Sequence, residues 1–124
     1  MNLPLEDLEV YQISEKLADA IWDVCICWEY FAKDTVGKQL VKAADSIGAN
    51  IAEGYGRYSY KENIQFCYYA RGSMFETRHW LRRAQKRKFL TTSQVKELKE
   101  ILKPLPVKLN AYIKSIKLQQ SKPK

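Results

Sequence analysis

The chain has few of the residues on which disulfide frameworks and metal sites depend. Its 124 residues include three cysteines, one histidine, five glycines and four prolines. An odd number of cysteines without framework spacing is typical of a reducing compartment, and a single histidine leaves no histidine pair for a metal ion. We therefore expect no disulfide, no metal and no other cofactor. The length suits one domain with a core of its own.

Long apolar runs are missing too. No stretch approaches the roughly 20 consecutive apolar residues of a membrane span. Residues 1–10 lack both the basic and the apolar segment of a signal peptide. We expect a soluble, cytoplasmic protein that has no membrane partner.

Known catalytic arrangements are absent from the sequence as well. The one histidine, His79, lies beside Arg78 and Arg82 on a predicted helix, where a surface role is commoner than catalysis. The Gly-Tyr-Gly segment at 54–56 lacks the preceding strand and the later glycine of a dinucleotide site. No Walker loop occurs and no pattern marks a substrate pocket, so we expect that the protein is not an enzyme.

The chain does contain four apolar stripes with the spacing of amphipathic helices, and no convincing strand pattern accompanies them. The stripes are Val10, Ile13, Leu17, Ile21, Val24, Trp28 and Phe31; Leu40, Ala44, Ile47, Ile51 and Tyr55; Phe66, Ala70, Met74, Thr77, Leu81 and Ala84; and Val95, Leu98, Leu102, Leu105, Leu109, Ile113 and Ile116. Short connections make consecutive helices antiparallel neighbours. The sequence predicts one all-α domain over 1–124, an up-down-up-down antiparallel four-helix bundle with helices at about 6–32, 36–55, 60–88 and 93–118 and a frayed tail at 119–124.

Residues that favour helix ends occur near these boundaries. They are Asp34 or Thr35 for the start of the second helix, Gly54 and Gly56 for its end, Ser59 with Glu62 for the third, and Thr91–Ser93 for the fourth. Pro104 and Pro106 lie inside the fourth stripe, and they predict a kink or a break near Lys103.

Charge is unevenly distributed along the chain, whose net charge is +7. Residues 1–34 have a net charge of −6, residues 35–56 are neutral, and residues 57–90 and 91–124 have +7 and +6. We expect an acidic and a basic face in the folded protein. The basic half can meet a polyanion or the acidic half of a second copy, and charge alone does not choose between them.

The first predicted helix has more apolar surface than its core stripe needs. Tyr11, Trp22 and Ile26 share a second face, well away from that stripe. Exposed apolar patches usually mark an interface, so self-association is the favoured interpretation. A broad core stripe is the alternative.

Basic and aromatic residues share the outer face of the third predicted helix. The aligned residues are Tyr68, Arg71, Phe75, Arg78, Arg82 and Lys86, with Arg83 and Arg87 beside them. Cations bind phosphates and rings stack on bases, so the pattern suits nucleic acid. A solvated face or a subunit contact, in which Tyr68 and Phe75 join the oligomer interface, is the alternative.

The segment 43–57 of the second helix combines small residues with a polar stripe. The small residues, which allow close approach of a neighbouring helix, are Ala43, Ala44, Gly48, Ala49 and Ala52. The polar residues are Ser46, Asn50, Glu53 and Arg57, of which Glu53 and Arg57 are spaced to form an ion pair. This stripe is either a solvent face or a structural polar network that reaches Ser73 or Glu76 on the third helix.

The second-helix segments QLVKAADSI (39–47) and NIAEGYGR (50–57) closely resemble the signature of the four-helix-bundle family encoded by intervening sequences in bacterial 23S rRNA genes. ARGSMFET (70–77) matches the family's second motif, and LEVY (8–11) is similar to its N-terminal motif. The resemblance, which covers roughly residues 5–118, implies a homopentameric ring. It also implies a relation to accessory proteins of diversity-generating retroelements, which bind nucleic acid and a reverse transcriptase. His79, Trp80 and Pro106 depart from the family pattern.

Two hypotheses remain open. In the first, a small oligomeric bundle binds RNA or DNA electrostatically through the third-helix cations, with Lys42 and Arg57 as further contacts. In the second, the protein is a scaffold or accessory subunit, and its basic face contacts a sister subunit or a reverse transcriptase.

Overall fold

The computed structural model describes residues 3–123, and within them it is entirely helical. After a short 3-10 turn at Leu5–Asp7, the long helices are α1 (Glu9–Cys25), α2 (Lys38–Tyr55), α3 (Tyr60–Lys86), α4 (Thr92–Leu102) and α5 (Leu105–Ser121). Helices α4 and α5 together form the fourth member of the bundle. The predicted all-α four-helix fold is therefore confirmed.

The connection between α1 and α2 differs from the prediction. Helix α1 ends at Cys25, whereas the apolar stripe predicted a helix to about residue 32. Phe31, the last residue of that stripe, is 71% exposed and does not belong to the core. Trp28 follows the helical spacing of the stripe beyond the end of α1. It is half-buried, and its ring centre lies 5.3 Å from that of Phe89.

The second helix of the bundle begins earlier than predicted and by a different cap. The Glu29 carboxylate accepts hydrogen bonds from the backbone N–H groups of Phe31 (2.9 Å) and Ala32 (2.7 Å), which starts a short helix at Tyr30–Ala32. A π-helical stretch, Lys33–Gly37, then leads into α2. Asp34 and Thr35, the predicted caps, lie inside that stretch and cap nothing.

The break in the fourth helix was predicted correctly. Helix α4 ends at Leu102 and α5 begins at Leu105, with Pro104 between them, since proline has no N–H to continue the helical bonding. Helix α5 runs through Ser121, so it extends into the predicted tail. Residue 124, the end of that tail, lies outside the described residues.

The core lies where the long helices converge. Its largest fully buried apolar side chains are Leu17, Ile21, Leu40, Ile47, Ile51, Leu105 and Leu109. Cys25 and Cys67 are buried among them, and burial raises the pKa of the two thiols to about 12 and about 11. Both are therefore protonated and unreactive at neutral pH, and Cys27 is the exposed thiol.

Two glycines of α2 allow its neighbours to come close. A Cβ atom on Gly48 would lie 3.0 Å from Ser14 Oγ of α1, and one on Gly54 would lie 2.9 Å from Phe66 Cβ of α3. Of the small residues predicted to permit close packing, Gly48 does so against α1, and Gly54, which was not in that set, does so against α3. Gly54 itself, predicted as a helix terminator, is a buried contact inside the helix, and Gly56 is the residue that ends it.

The turn that follows α3 contains a strained residue. Lys88 has φ of 65°, the only positive value at a non-glycine position within residues 3–123. The left-handed conformation costs a side-chain-bearing residue about 1–2 kcal/mol, and glycine avoids most of that cost. Lys88→Gly is therefore expected to raise the free energy of unfolding by about 1 kcal/mol in urea denaturation.

The control for this prediction is a glycine placed one turn earlier. Gln85→Gly, inside α3, is expected to lower the free energy of unfolding by about 1 kcal/mol. Equal effects of the two substitutions would contradict the assignment of strain to Lys88.

Candidate nucleic-acid interface

The outer face of α3 carries most of the predicted nucleic-acid-binding residues. The helix begins where Ser59 Oγ accepts a hydrogen bond from the Glu62 N–H, 3.1 Å away, and its 27 residues make it about 40 Å long. Ala70 and Met74 are buried and fix which side faces the core. Of the predicted residues on the opposite side and its flanks, Arg78, Arg82, Lys86 and Arg87 are exposed and Arg71 and Arg83 are half-buried.

Arginines and aromatic rings are paired along this face. The Arg71 guanidinium lies 5.3 Å from the centre of the Tyr68 ring, and that of Arg78 lies 5.6 Å from the centre of Phe75. The two pairs are seven residues apart, which is about 10 Å along a helix. Each pair presents a cation and a ring together, the combination that contacts phosphate and base in single-strand binding sites.

Arg71 is held more tightly than the other cations of α3. Its guanidinium donates a hydrogen bond to Asn110 Oδ1 of α5. Lys117, also on α5, places its ammonium 5.7 Å from the centre of the Tyr68 ring. The Tyr68 end of the face is thus a junction of α3 with α5.

Most cations of the face have no acidic partner. The three ion pairs within residues 3–123 are Arg57 with Glu53 (3.5 Å), Arg57 with Glu62 (3.7 Å) and Lys108 with Glu9 (3.1 Å). In this part of the chain, no carboxylate lies within ion-pair distance of any α3 cation from residue 71 to residue 87. Their charge is available to an anion from outside.

The two predicted contacts outside α3 differ in position. Asn50 meets Ser73 across the helices and Gly54 meets Phe66, so the antiparallel register places Lys42 level with Arg78. Arg57 lies at the other end of the bundle, where its guanidinium also lies 4.8 Å from the Phe66 ring centre. Lys42 is exposed and lies at the level of Arg78 along the bundle, on α2 rather than on the outer face of α3, whereas Arg57 lies at the other end and is already paired.

A groove of about 710 Å³ lies between the second half of α3 and α4. Its floor is apolar and is formed by Leu81, Leu90, Val95, Leu98, Leu102 and Pro106. Its two banks are basic: Arg78 and Arg82 line it from α3, and Lys99 and Lys103 line it from α4. Phe75 and His79 complete the α3 bank, and no aspartate or glutamate is among the described residues of the lining.

The sequence analysis missed Lys99 and Lys103 as site residues. They are four residues apart on α4, so both lie on one side of that helix, and they follow Leu98 and Leu102 of its apolar stripe. That spacing could be read from the sequence. The adjacency of α3 and α4 was also predicted, but the groove that separates these two helices was not, because the sequence does not show how closely they pack.

The opposite side of α4 borders an acidic groove. Asp19 and Asp23 of α1 line this groove together with Glu97 of α4, and Lys16 is the cation of its lining. On α2, burial and the nearby Asp19 carboxylate raise the pKa of Asp45. The uneven charge of the sequence thus corresponds to an acidic groove beside α1 and a basic groove beside α3, with α4 between them.

The residues predicted as an oligomer interface do not form one patch. Trp22 and Ile26 are about half exposed on α1 (52% and 50%), and Phe75 (57%) and Tyr68 (38%) are exposed on α3. Tyr11 is half-buried and packs against the core beside Gly48. The structure therefore has two separate apolar sites, one on the acidic side and one on the basic side.

The predicted polar network is smaller than expected. Asn50 Nδ2 donates to the Ser46 carbonyl (2.9 Å) and to Ser73 Oγ (3.4 Å), and the second bond joins α2 to α3. Glu53 faces Arg57 instead. Glu76 accepts a hydrogen bond from Trp80 Nε1 on its own helix, at 3.3 Å. Neither glutamate is therefore bonded to Asn50 or Ser73.

Two classes of feature are not found among residues 3–123. No helix there is both long and apolar enough to cross a membrane. No group of three or more histidine, cysteine, aspartate or glutamate side chains there is arranged to hold a metal ion.

Fold and site together define a basic four-helix bundle with a cation-lined groove. The family model of the 23S rRNA-intervening sequence proteins matches residues 6–111. The chain therefore belongs to this family. The resemblance of the second- and third-helix motifs is confirmed.

A crystal structure of similar fold comes from Bacteroides thetaiotaomicron and is described as a protein of unknown function from the S23 ribosomal protein family. It superposes with a TM-score of 0.74 at 24% sequence identity, over 85% of this chain and 98% of that one. This similarity supports the fold. None of the curated proteins matches the chain.

Proposed function

We propose that the protein is a non-catalytic nucleic-acid-binding protein of the cytoplasm, which holds RNA or DNA on the basic surface formed by α3, α4 and Lys42. The observation that carries the proposal is the set of exposed cations with no acidic partner around the α3–α4 groove. Arginine forks form paired hydrogen bonds with phosphate oxygens. The Arg78 and Phe75 pair adds a ring beside the charge.

The proposal is tested by mixing the purified protein with labelled RNA and DNA of mixed sequence. Phosphate contacts release counterions, so binding is expected at about 50 mM salt and is expected to weaken steeply by about 200 mM. A protein that shifts neither nucleic acid at the lower salt concentration would contradict the proposal.

A second proposal is self-association, for which a homopentameric ring is the specific form that the family resemblance implies. Trp22 and Ile26, half exposed beside the acidic groove, support it, because exposed apolar patches of this kind commonly mark interfaces. A ring would also bring several basic surfaces together and so multiply weak contacts with one nucleic acid. The alternative is that the basic face contacts a reverse transcriptase, and a reverse-transcriptase gene beside the gene of this chain would favour it.

Replacing Trp22 by glutamate is expected to reduce the size of the assembly in light scattering, since a buried charge without a partner disfavours an interface. Phe31→Glu is the matched control, because Phe31 is an exposed aromatic outside both apolar sites and its replacement should leave the size unchanged. An assembly that keeps its size with Trp22→Glu would remove Trp22 from the interface.

A further inference from the structure

From the lining of the groove we infer that it binds single-stranded nucleic acid, with a base stacked on Phe75 and phosphates held by the cations of the two banks. The inference rests on the proposed function and specifies its ligand. A volume of about 710 Å³ lies within the usual range for ligand sites. It accommodates a few unstacked bases, whereas a duplex, whose bases face inward, does not present its bases to the groove.

The position of the charges fits a thin polyanion. Arg78 and Arg82 are one turn apart on α3, and Lys99 and Lys103 are one turn apart on α4. A chain that lies along the groove therefore has two cations on each side. Non-specific single-strand sites combine a basic groove of this kind with aromatic rings on which bases stack.

The exposed ring at the groove is Phe75. It is 57% exposed, and the Arg78 guanidinium lies 5.6 Å from its centre. The ring is thus open to a base and already beside a cation for the adjoining phosphate. The next exposed ring on the same face of α3 is Tyr68, seven residues before Phe75, and it lies beside Arg71. A nucleic-acid strand that continues along α3 therefore meets a second pair of ring and cation.

An acidic amphipathic helix is a less favourable occupant, because such a helix binds by burying an apolar stripe. The leucines of the floor offer it little area: Leu98 is 2% exposed and Leu102 is 9% exposed. Phe75 is the large apolar side chain of the lining that is mostly exposed. A single aromatic ring between cations suits base stacking better than helix docking.

The test compares a fluorescein-labelled single-stranded RNA of about 20 nucleotides, somewhat longer than a typical single-strand site, with its duplex in anisotropy titrations. The single strand is expected to bind at least about tenfold more tightly. Phe75→Ala is expected to weaken single-strand binding about fivefold or more and to leave duplex binding unchanged. Phe75→Tyr should retain the affinity and Phe75→Leu should not, whereas Phe31→Ala, the matched control, should have no effect.

The α4 bank is tested separately. Lys99→Gln with Lys103→Gln is expected to weaken single-strand binding and to lower the slope of log K against log salt by about 0.7 per lost contact. If single strand and duplex bind equally, the proposed function stands and this inference fails. If neither binds, both fail. If the lysine substitutions change the particle size in light scattering but not the affinity, the groove is a subunit contact and the inference is overturned.

Discussion

Replacing Gly54 by alanine is expected to lower the free energy of unfolding by about 1–2 kcal/mol. A Cβ atom at this position would lie 2.7 Å from Asn63 Oδ1, 2.9 Å from Phe66 Cβ and 3.0 Å from the Asn63 carbonyl oxygen. Two of these atoms are fixed to the backbone of α3, so the helices themselves must separate. Such overpacking costs about 1–3 kcal/mol, here about 2–3 because backbone must move, and the gain of about 1 kcal/mol in helix propensity offsets only part of it.

Gly72 provides the matched control for Gly54. It also lies inside a long helix, but a Cβ atom there would meet nothing within 4 Å. Gly72→Ala is therefore expected to raise the free energy of unfolding by about 0.5–1 kcal/mol. Because both changes carry the same propensity gain, their difference in urea denaturation measures the α2–α3 contact. Equal stabilisation by both would contradict that contact.

Reversing the charges of Arg78 and Arg82 together is expected to weaken nucleic-acid binding by at least about 100-fold at low salt. Two phosphate contacts are lost, and two carboxylates are placed in a groove whose described lining has none. Both arginines are exposed and lie outside the ion pairs of the described residues. The fold should therefore tolerate Arg78→Glu with Arg82→Glu.

The control for the arginine variant makes the same change in net charge at two positions outside the groove. Lys33→Glu with Lys114→Glu alters two exposed lysines, one in the π-helical stretch and one on α5, and is expected to reduce affinity only slightly. Circular dichroism should show the same helicity and unfolding midpoint for both variants. Equal losses of affinity would mean that overall charge, rather than the α3–α4 surface, determines binding.

The apolar periodicity of the sequence was sufficient to predict the bundle, because Leu17, Ile47 and Leu109 each lie on an apolar stripe that must face a core. The break at Pro104 was equally predictable, since it follows from the missing N–H. The path of the chain from Trp28 to Gly37 could not be predicted in this way. There a glutamate cap and a π-helical stretch replace a loop, and the half-buried Trp28 prolongs the helical spacing beyond the end of α1.

The candidate site was predicted on one side only. The α3 cations could be placed on an outer face from Ala70 and Met74, which mark the buried side. Lys99 and Lys103 were missed because the sequence predicts that α3 and α4 are neighbours, but not that they stand apart and leave a groove between them. Arg57 was predicted as a further contact beside the α3 cations, but it lies just after the end of α2, at the other end of the bundle, where it pairs with Glu53 and Glu62.

The salt dependence of binding tests the central claim most directly. Anisotropy titrations of the wild-type protein with labelled single-stranded RNA, between about 50 and 200 mM salt, should give a straight line of log K against log salt. With four groove cations in contact, we expect a slope of about −3. Absence of binding at the lowest salt, or an affinity that salt does not change, would contradict the account of this surface as a phosphate-binding site.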